Sequence, residues 1–230
     1  MGIKNFLALD TSMDTAIILL VARHKSFSRL QEKPREHNQF LLVLLQELLD
    51  EAGMALSDVH AYMCGVGPGS FVGVRLGVAV VQGLAYANQK PVYALNSLAL
   101  QAQAFFRSAP QATEVIIAHN AHMQGFYLGH YQNIEGIAQS LSIERLVHFK
   151  VPIHLKIKRG VMIVGNARIM LIHMLNTQEV SLQGGIVNVE EQDLETQARH
   201  IVKIKPALTA QELQPIYCND KSHWQKLKKY

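Results

Sequence analysis

The sequence predicts an α/β protein made of two lobes, each with strands that are followed by helices. Apolar runs of strand length alternate with segments of helical period, and a polar stretch separates two such sets. The 230 residues, of which 49% are hydrophobic and 17% charged, are enough for two lobes that each bury a core. We place the first lobe at 1–108, the second at 109–208, and a basic tail at 209–230 that returns to the first lobe.

The first lobe begins with a predicted β-hairpin. A buried strand at 6–9 ends in a polar turn, and the apolar run in "TAIILLVARH" forms its partner strand. The segment "REHNQFLLVLLQELLDEAG" then changes to helical period and stops at Gly53. A strand in "HAYMCGVG", a long apolar helix at 71–87, the strand "KPVYAL" and a helix in "NSLALQAQAFF" follow. This order predicts a mixed sheet with helices.

The second lobe is predicted to be shorter and less regular than the first, although related to it. After a linker at 107–113, strands are predicted in "EVIIAHNA", "GFYLGHYQ" and "VMIVG", and a helix near "ARIMLIHML". The segment "EEQDLETQARHIVKI" is a predicted helix whose acidic first turn and basic last turn suit the helix dipole. Pro206 ends this helix.

The segment "CGVGPGSFVGVRLG" raises the question of a phosphate-binding loop. A strand, a tight turn and a helix N-terminus aim backbone N–H groups at one spot, and Gly67 and Gly69 permit close approach there. Ser70 is suited to cap the helix. The pattern fits neither common phosphate loop. The third glycine, Gly73, comes one residue late for G-x-G-x-x-G, and no lysine for a Walker A loop lies within 65–89.

Gly73 and Gly77 lie four residues apart on one face of the helix that follows the loop. Small residues at this spacing let another element approach closely, so they fit either internal packing or a partner interface. The sequence leaves both readings open. Arg75 on the same apolar helix is suited to bind a carboxylate or phosphate, or else reaches to solvent.

No catalytic constellation is recognisable in the sequence. His37 stands alone, and His119 and His122 lie three apart near a strand end, where such side chains point to opposite faces, so no metal site is expected. Asp10 fits either a hydrated magnesium ion near phosphates or an ordinary turn cap. The serine in "GPGSFVG" is not flanked as in the G-x-S-x-G elbow of hydrolases.

Cysteine usage and hydropathy predict a soluble, cytoplasmic protein. Cys64 and Cys218 form no C-x-x-C pair, which favours free thiols in a reducing compartment. The start "MGIKNFLALD" is short and turns acidic early for a signal peptide, and we expect no segment with the roughly 18 apolar residues of a membrane span. Much of the basic surplus lies in the tail "KSHWQKLKKY", as a solvated end or as a contact for an acidic partner or RNA.

Several segments resemble the bacterial TsaB (YeaZ) family: "LALDTS" at the first strand, "PREHNQ" at the first helix, "GPGSFVGVRLG" at the second, and "PIYCNDKSHWQKL" near the end. The resemblance is strong over 1–105 and weak over 110–205. It implies the two-lobed actin-like ATPase (ribonuclease H-like) fold, here with a shortened, divergent second lobe. It also implies a non-catalytic scaffold that acts with the transferase TsaD and the ATPase TsaE to place threonylcarbamoyl on the adenosine next to the tRNA anticodon.

The family resemblance further implies that the "PREHNQ" and "GPGSFVGVRLG" helices form the face that binds TsaD, and that this face forms a homodimer when the chain is alone. It implies no catalytic or metal residue, weak ATP or ADP binding at the complex interface, and tRNA contacts through the complex. The implied interface residues are Arg35, Glu36, His37, Gly69, Ser70, Phe71, Gly73, Arg75 and Gly77. The residues implied for a vestigial phosphate site are Asp10, Thr11, Ser12 and Gly67.

The second lobe departs from the family pattern. Asn120, His122 and Gly125 stand where the family has aspartate, arginine and glutamate. One alternative function is an actin-fold phosphotransferase that acts on a small molecule through Asp10 and Thr11, but it would need a second acidic residue and a second phosphate loop. Another is a metallopeptidase, for which the sequence offers no ligand set or activated water.

Overall fold

The structure, a computed structural model, describes residues 3–32, 37–121, 125–153, 155, 157, 158, 160–175 and 185–218. The chain divides into two compact units. Unit 1 comprises Met1–Ser97 and Val189–Ile216, and unit 2 comprises Leu98–Asn188 and Tyr217–Tyr230. This division differs from the boundaries predicted at 108 and 208, since the chain returns to unit 1 at residue 189.

Unit 1 contains a five-stranded mixed sheet, as the sequence predicts. The strands are β1 (Phe6–Asp10), β2 (Ala16–Ala22), β3 (Lys25–Gln31), β4 (Ala61–Gly65) and β5 (Val92–Leu95). Their order in the sheet is β3-β2-β1-β4-β5. Strands β1 and β2 are antiparallel, as are β2 and β3, while β4 runs parallel to both β1 and β5.

Strand β3 is absent from the sequence prediction. It forms a hairpin with β2 through a turn in which Arg23 and His24 have positive φ angles of 49° and 73°. The strand is mostly polar and partly exposed, because it is the edge of the sheet. An edge strand that buries little gives a weak hydrophobic signal, which explains why the apolar pattern misses it.

Unit 2 repeats the strand arrangement of unit 1 in a less regular form. The strands are β6 (Glu114–Asn120), β7 (Gly125–Ile134), β8 (Ile137–Ser140), β9 (Arg145–His148) and β10 (Met162–Val164). Their order in the sheet is β10-β6-β7-β8, with β9 also paired to β7. The pair β6–β7 is antiparallel, like β1–β2 in unit 1, and the pair β10–β6 is parallel, like β4–β1. The short strands β8 and β9 are absent from the sequence prediction.

The described residues contain five α-helices. The predicted helices are all observed, with bounds that differ by a few residues. They are α1 (His37–Ala52), α2 (Phe71–Asn88), α3 (Ser97–Ser108), α4 (Arg168–Leu175) and α5 (Glu191–Ile204).

Three layers build unit 1. Helices α1 and α2 share one core with the sheet, in which Leu45 of α1 and Val78 of α2 pack in the same cluster as Leu7 of β1. Helix α5 covers the opposite face, where the guanidinium of Arg199 lies 5.4 Å from the ring centroid of Phe6. Neighbouring residues of a strand point to opposite faces of the sheet. Because helices cover both faces, every residue of β1 and β2 is buried. This burial explains why both strands are apolar without alternation.

The sequence predicts helix α5 in the second lobe, but in the structure it belongs to unit 1. Its buried residues include Leu194 and Ala198, and it contacts β1, β2 and β5. After α5 the chain stays with unit 1 as far as Ile216. Leu208 pairs with Val92 of β5 in both directions, at N–O distances of 2.8 and 2.9 Å. Residues 98–188 separate α5 from the strands of unit 1 in the sequence, so local patterns do not predict this packing.

Helix α2 corrects the expectation that no segment could cross a membrane. Among the described residues it is the one helix long and apolar enough to do so by length and composition, with 18 residues. Its apolar residues have another role, since Val74, Val78 and Val81 are buried in the core of unit 1. A core helix can thus have the length and the hydropathy of a membrane-spanning helix.

The glycine loop and the outer face of helix α2

The loop between β4 and α2 uses its own backbone N–H groups internally. The N–H of Gly67 donates to Ser97 Oγ at 3.1 Å, and the N–H of Ser70 donates to the carbonyl of Ser12 at 2.7 Å. Ser70 caps α2 as predicted, because its Oγ accepts from the N–H of Gly73 at 3.2 Å. Three donors that could have bound a phosphate therefore already have partners.

A C-terminal segment lies against the same loop. The N–H of Ile216 donates to the carbonyl of Val66 at 2.8 Å, and Gln82 of α2 donates to the carbonyl of Leu213 at 2.8 Å. A Cβ on Gly67, whose φ is +93°, would lie 3.4 Å from the carbonyl oxygen of Ile216. The loop is thus packed by the chain itself on this side as well.

Asp10 lies at the end of β1 as a buried turn cap. Its side chain is 4% exposed, and Oδ1 accepts from the N–H of Ser12 at 2.7 Å. Within the described part of the chain, Asp10 Oδ2 and Ser12 Oγ are buried without a hydrogen-bond partner. Burial raises the pKa of Asp10, and the hydrogen bond from the N–H of Ser12 opposes this rise.

The raised pKa of Asp10 predicts an unusual pH dependence of stability. The folded state holds the proton more tightly than the unfolded chain, so the stabilisation is complete below the unfolded pKa, about 3.9, and is lost as pH rises through the folded pKa. Asp10→Asn should therefore gain stability relative to wild type as pH rises, by about 1.4 kcal/mol for each unit of pKa difference.

Urea unfolding at several pH values between 4 and 8 measures this effect on Asp10→Asn. The exposed Asp14→Asn is the matched control and should follow the wild type at every pH. Parallel pH profiles for wild type and Asp10→Asn would contradict the prediction.

Gly73 and Gly77 face the interior of unit 1, which corrects the reading that they serve a partner interface. Both glycines are buried. A Cβ on Gly73 would collide with the carbonyl oxygen of Thr11, and one on Gly77 would lie 2.5 Å from Thr11 Oγ1. Thr11 Oγ1 also donates to the carbonyl of Gly73 at 2.7 Å. The two glycines therefore leave room for the turn after β1, and not for a second molecule.

The outward face of α2 carries a different series of residues. Phe71, Arg75, Ala79, Gly83 and Ala87 follow one another at intervals of four, and all are exposed. We call this series the α2 stripe. The Arg75 guanidinium lies 3.5 Å from the centroid of the Phe71 ring, so Arg75 makes a cation–π contact with Phe71. Beyond Arg75 the stripe has only small side chains, and the sequence analysis did not single these out.

Large apolar side chains flank the α2 stripe. Val72 is 74% exposed and Tyr86 is 68% exposed. On α1, which packs on the same sheet face, Phe40, Leu42 and Val43 are also exposed. Exposed apolar side chains in such number on two neighbouring elements are typical of interaction surfaces.

Not every predicted site residue can be placed on this surface. Arg35 and Glu36 lie outside the described residues, and the structure describes the backbone but not the side chain of His37. Gly69 is half-buried, and a Cβ there would collide with the carbonyl oxygen of Ser12. Phe71 and Arg75 are the predicted interface residues with exposed side chains on α2.

Among the described residues, no group of three or more histidine, cysteine, aspartate or glutamate side chains could hold a metal ion. His119 is buried, and its Nδ1 lies 3.0 Å from Nε2 of Gln101. His122 lies outside the described residues. A Cβ on Gly125 would collide with the carbonyl of Val147 in β9, so packing requires a glycine at this position.

The mixed sheet of unit 1 and its shortened repeat in unit 2 define a two-lobed protein of the actin-like, ribonuclease H-like class. The family model "TsaD: tRNA N6-adenosine threonylcarbamoyltransferase" matches residues 31–228, and the chain belongs to this family.

Relatives refine this placement. YeaZ from Pseudomonas aeruginosa has a solved structure that superposes with a TM-score of 0.81 at 31% identity, covering 93% of this chain and 99% of that one. The tRNA threonylcarbamoyladenosine biosynthesis protein TsaB of Escherichia coli is 36% identical over 129 residues, or 56% of this chain. That of Haemophilus influenzae is 37% identical over 121 residues. The matches span 55% and 51% of these two relatives, about half of each. The resemblance to the TsaB (YeaZ) family is thus confirmed.

Proposed function

We propose that this protein is a non-catalytic scaffold subunit of the machinery that makes threonylcarbamoyladenosine next to the anticodon of tRNA. Its partner in this proposal is TsaD, the transferase, which docks on the outer face of α1 and α2. The names of the TsaB relatives support the pathway. The exposed α2 stripe is the observation that carries the docking role.

Gly83 supports docking through its energetic cost. A glycine inside a helix is less stable than alanine by about 0.5–1 kcal/mol. A Cβ at Gly83 would meet no described atom within 4 Å, so packing within the described chain does not explain the glycine. Small residues at four-residue spacing let a second helix approach closely, and Ala79 and Ala87 continue this series. A helix of the partner is the element that would use the space.

The rim of the stripe supplies contact area. Phe71, Val72 and Tyr86 are exposed beside the small residues, and aromatic side chains are enriched at the centres of protein interfaces. Arg75 stacked on Phe71 adds a charge that is held in a fixed position. A groove of small residues between larger apolar groups suits the ridge of another helix.

The geometry of the glycine loop argues against phosphotransfer by this chain alone. Three loop N–H groups are bonded internally, and the carboxylate of Asp10 is buried. We therefore propose that ATP or ADP binds weakly, at the interface of the complex, and that the chain has no catalytic role. In the same proposal TsaE and tRNA join through the complex, the chain forms a homodimer when alone, and the assembly is cytoplasmic.

Multi-angle light scattering of the protein alone and mixed with TsaD from the same organism tests this function. We expect a homodimer alone and a one-to-one heterodimer in the mixture, because both use the same apolar face. Failure to form a complex, together with ATP turnover by this chain alone, would instead favour the phosphotransferase.

A further inference from the structure

One part of unit 2 is basic without any compensating acid. Residues 145–178 contain six lysine and arginine residues and no aspartate or glutamate, whereas the rest of the chain holds sixteen basic and eighteen acidic residues. This stretch therefore carries a charge of +6, more than the +4 of the C-terminal tail at 221–230, while the remainder of the chain is acidic. So uneven a distribution indicates a polyanionic partner.

Two of the described basic side chains of this stretch are available to such a partner. Arg145 at the start of β9 and Lys150 in the turn after it are exposed, and no described carboxylate pairs with either. Lys158 bonds to Glu114, which also lies 3.0 Å from His130. These contacts lower the pKa of Glu114, and the hydrogen bond from Lys158 has the largest effect. The charge of Lys158 is therefore balanced by that of Glu114. Arg145 and Lys150 remain as unmatched positive charges.

A cleft opens beside Arg145. Its volume is about 230 Å³, and its lining includes Ile116 and Leu128 from the sheet together with Leu155 and Ile157, which pack against them. Apolar walls next to a cation are the two features by which proteins hold single-stranded nucleic acid: an unpaired base contacts apolar groups while its phosphate meets arginine or lysine. The exposed Phe149, next to Lys150, adds an aromatic face.

We propose that β9, the turn after it and the adjoining cleft form an RNA-binding surface that holds the backbone of a tRNA at unpaired nucleotides. Arg145 and Lys150 contact phosphates, and the cleft receives a base. The choice of tRNA rests on the proposed function, whereas the preference for RNA rests on charge and shape alone.

Filter binding or fluorescence anisotropy of the full chain with an unmodified tRNA transcript, over a series of salt concentrations, tests this surface. The variant is Arg145→Glu with Lys150→Glu. The matched control is Lys203→Glu with Lys205→Glu, the same charge change at exposed positions at the end of α5 in unit 1. We expect the variant to bind about tenfold or more weakly at 0.1 M salt, with the slope of log K against log salt reduced by about 2.

Equal affinity of wild type and variant, equal weakening by variant and control, or no binding of the transcript by the wild-type chain would each overturn the RNA surface. Both changes are at exposed positions, and thermal unfolding verifies that the variants fold. Light scattering with TsaD on the same samples separates the two hypotheses: a variant that still forms the complex but binds RNA like wild type refutes only the RNA surface. A wild-type chain that binds RNA but not TsaD refutes only the scaffold.

Discussion

Replacing Gly83 by leucine is expected to abolish complex formation with TsaD while leaving the protein folded. The position is exposed and a Cβ there meets no described atom within 4 Å, so a leucine side chain has room in the free chain. In the complex the same side chain would fill the space into which the partner helix fits, between Ala79 and Ala87. Light scattering of the mixture measures the complex, and thermal unfolding verifies the fold.

Two further variants make this test specific. Lys203→Leu places a leucine on α5, on the opposite sheet face, and should leave the complex intact. Gly83→Ala should raise the free energy of unfolding of the free chain by about 0.5–1 kcal/mol, since alanine is the better helix former. A normal heterodimer with Gly83→Leu, or equal loss of binding in the α5 control, would contradict the docking face.

Gly73→Ala is expected to destabilise the protein by about 3 kcal/mol, although it adds a single methyl group. The new Cβ would collide with the backbone carbonyl of Thr11, which cannot move without displacing the turn after β1. That carbonyl lies beside the Thr11 hydroxyl, which is itself bonded to Gly73. Urea unfolding at neutral pH measures the loss of stability.

Gly83→Ala is the matched control for Gly73→Ala, because both add one methyl group to α2, on its outward and inward faces respectively. Opposite effects on the free energy of unfolding are expected. Equal stabilities of Gly73→Ala and wild type would mean that the turn yields easily, and the inward assignment would fail. Gly73→Leu should also lose TsaD binding, but by unfolding unit 1 rather than by blocking a contact.

The elements predicted correctly from the sequence are those that bury a large apolar surface. Strands β1 and β2 and helices α1 and α2 have strong hydrophobic patterns because the core of unit 1 surrounds them. The edge strand β3 and the short β8 and β9 have at least one exposed or half-exposed side, and their sequences resemble loops. The packing of α5 on unit 1 is a long-range contact that local periodicity does not encode.

The sequence singles out α2 for a proposed interface, but it does not show which face of this helix is exposed. The sequence located the glycine loop and α2, and small residues at four-residue spacing occur on both faces of that helix: Gly73 and Gly77 inward, Ala79 and Gly83 outward. The choice between them depends on where the turn at Thr11 lies, which is settled only by tertiary packing. Gly83 lies four residues after Ala79 and four before Ala87, so its spacing also fits a close helix contact.

The return of the chain to unit 1 has a consequence for its biosynthesis. Residues up to 97 leave the ribosome with the sheet face around Phe6 still uncovered, because α5 is made only after residues 98–188. That apolar face stays exposed while unit 2 is synthesised. During this time chaperones can bind it, or it can associate incorrectly with other chains. Nascent chains arrested before residue 189 should therefore be sensitive to proteases throughout unit 1, and those that extend past residue 216 and clear the exit tunnel should be resistant.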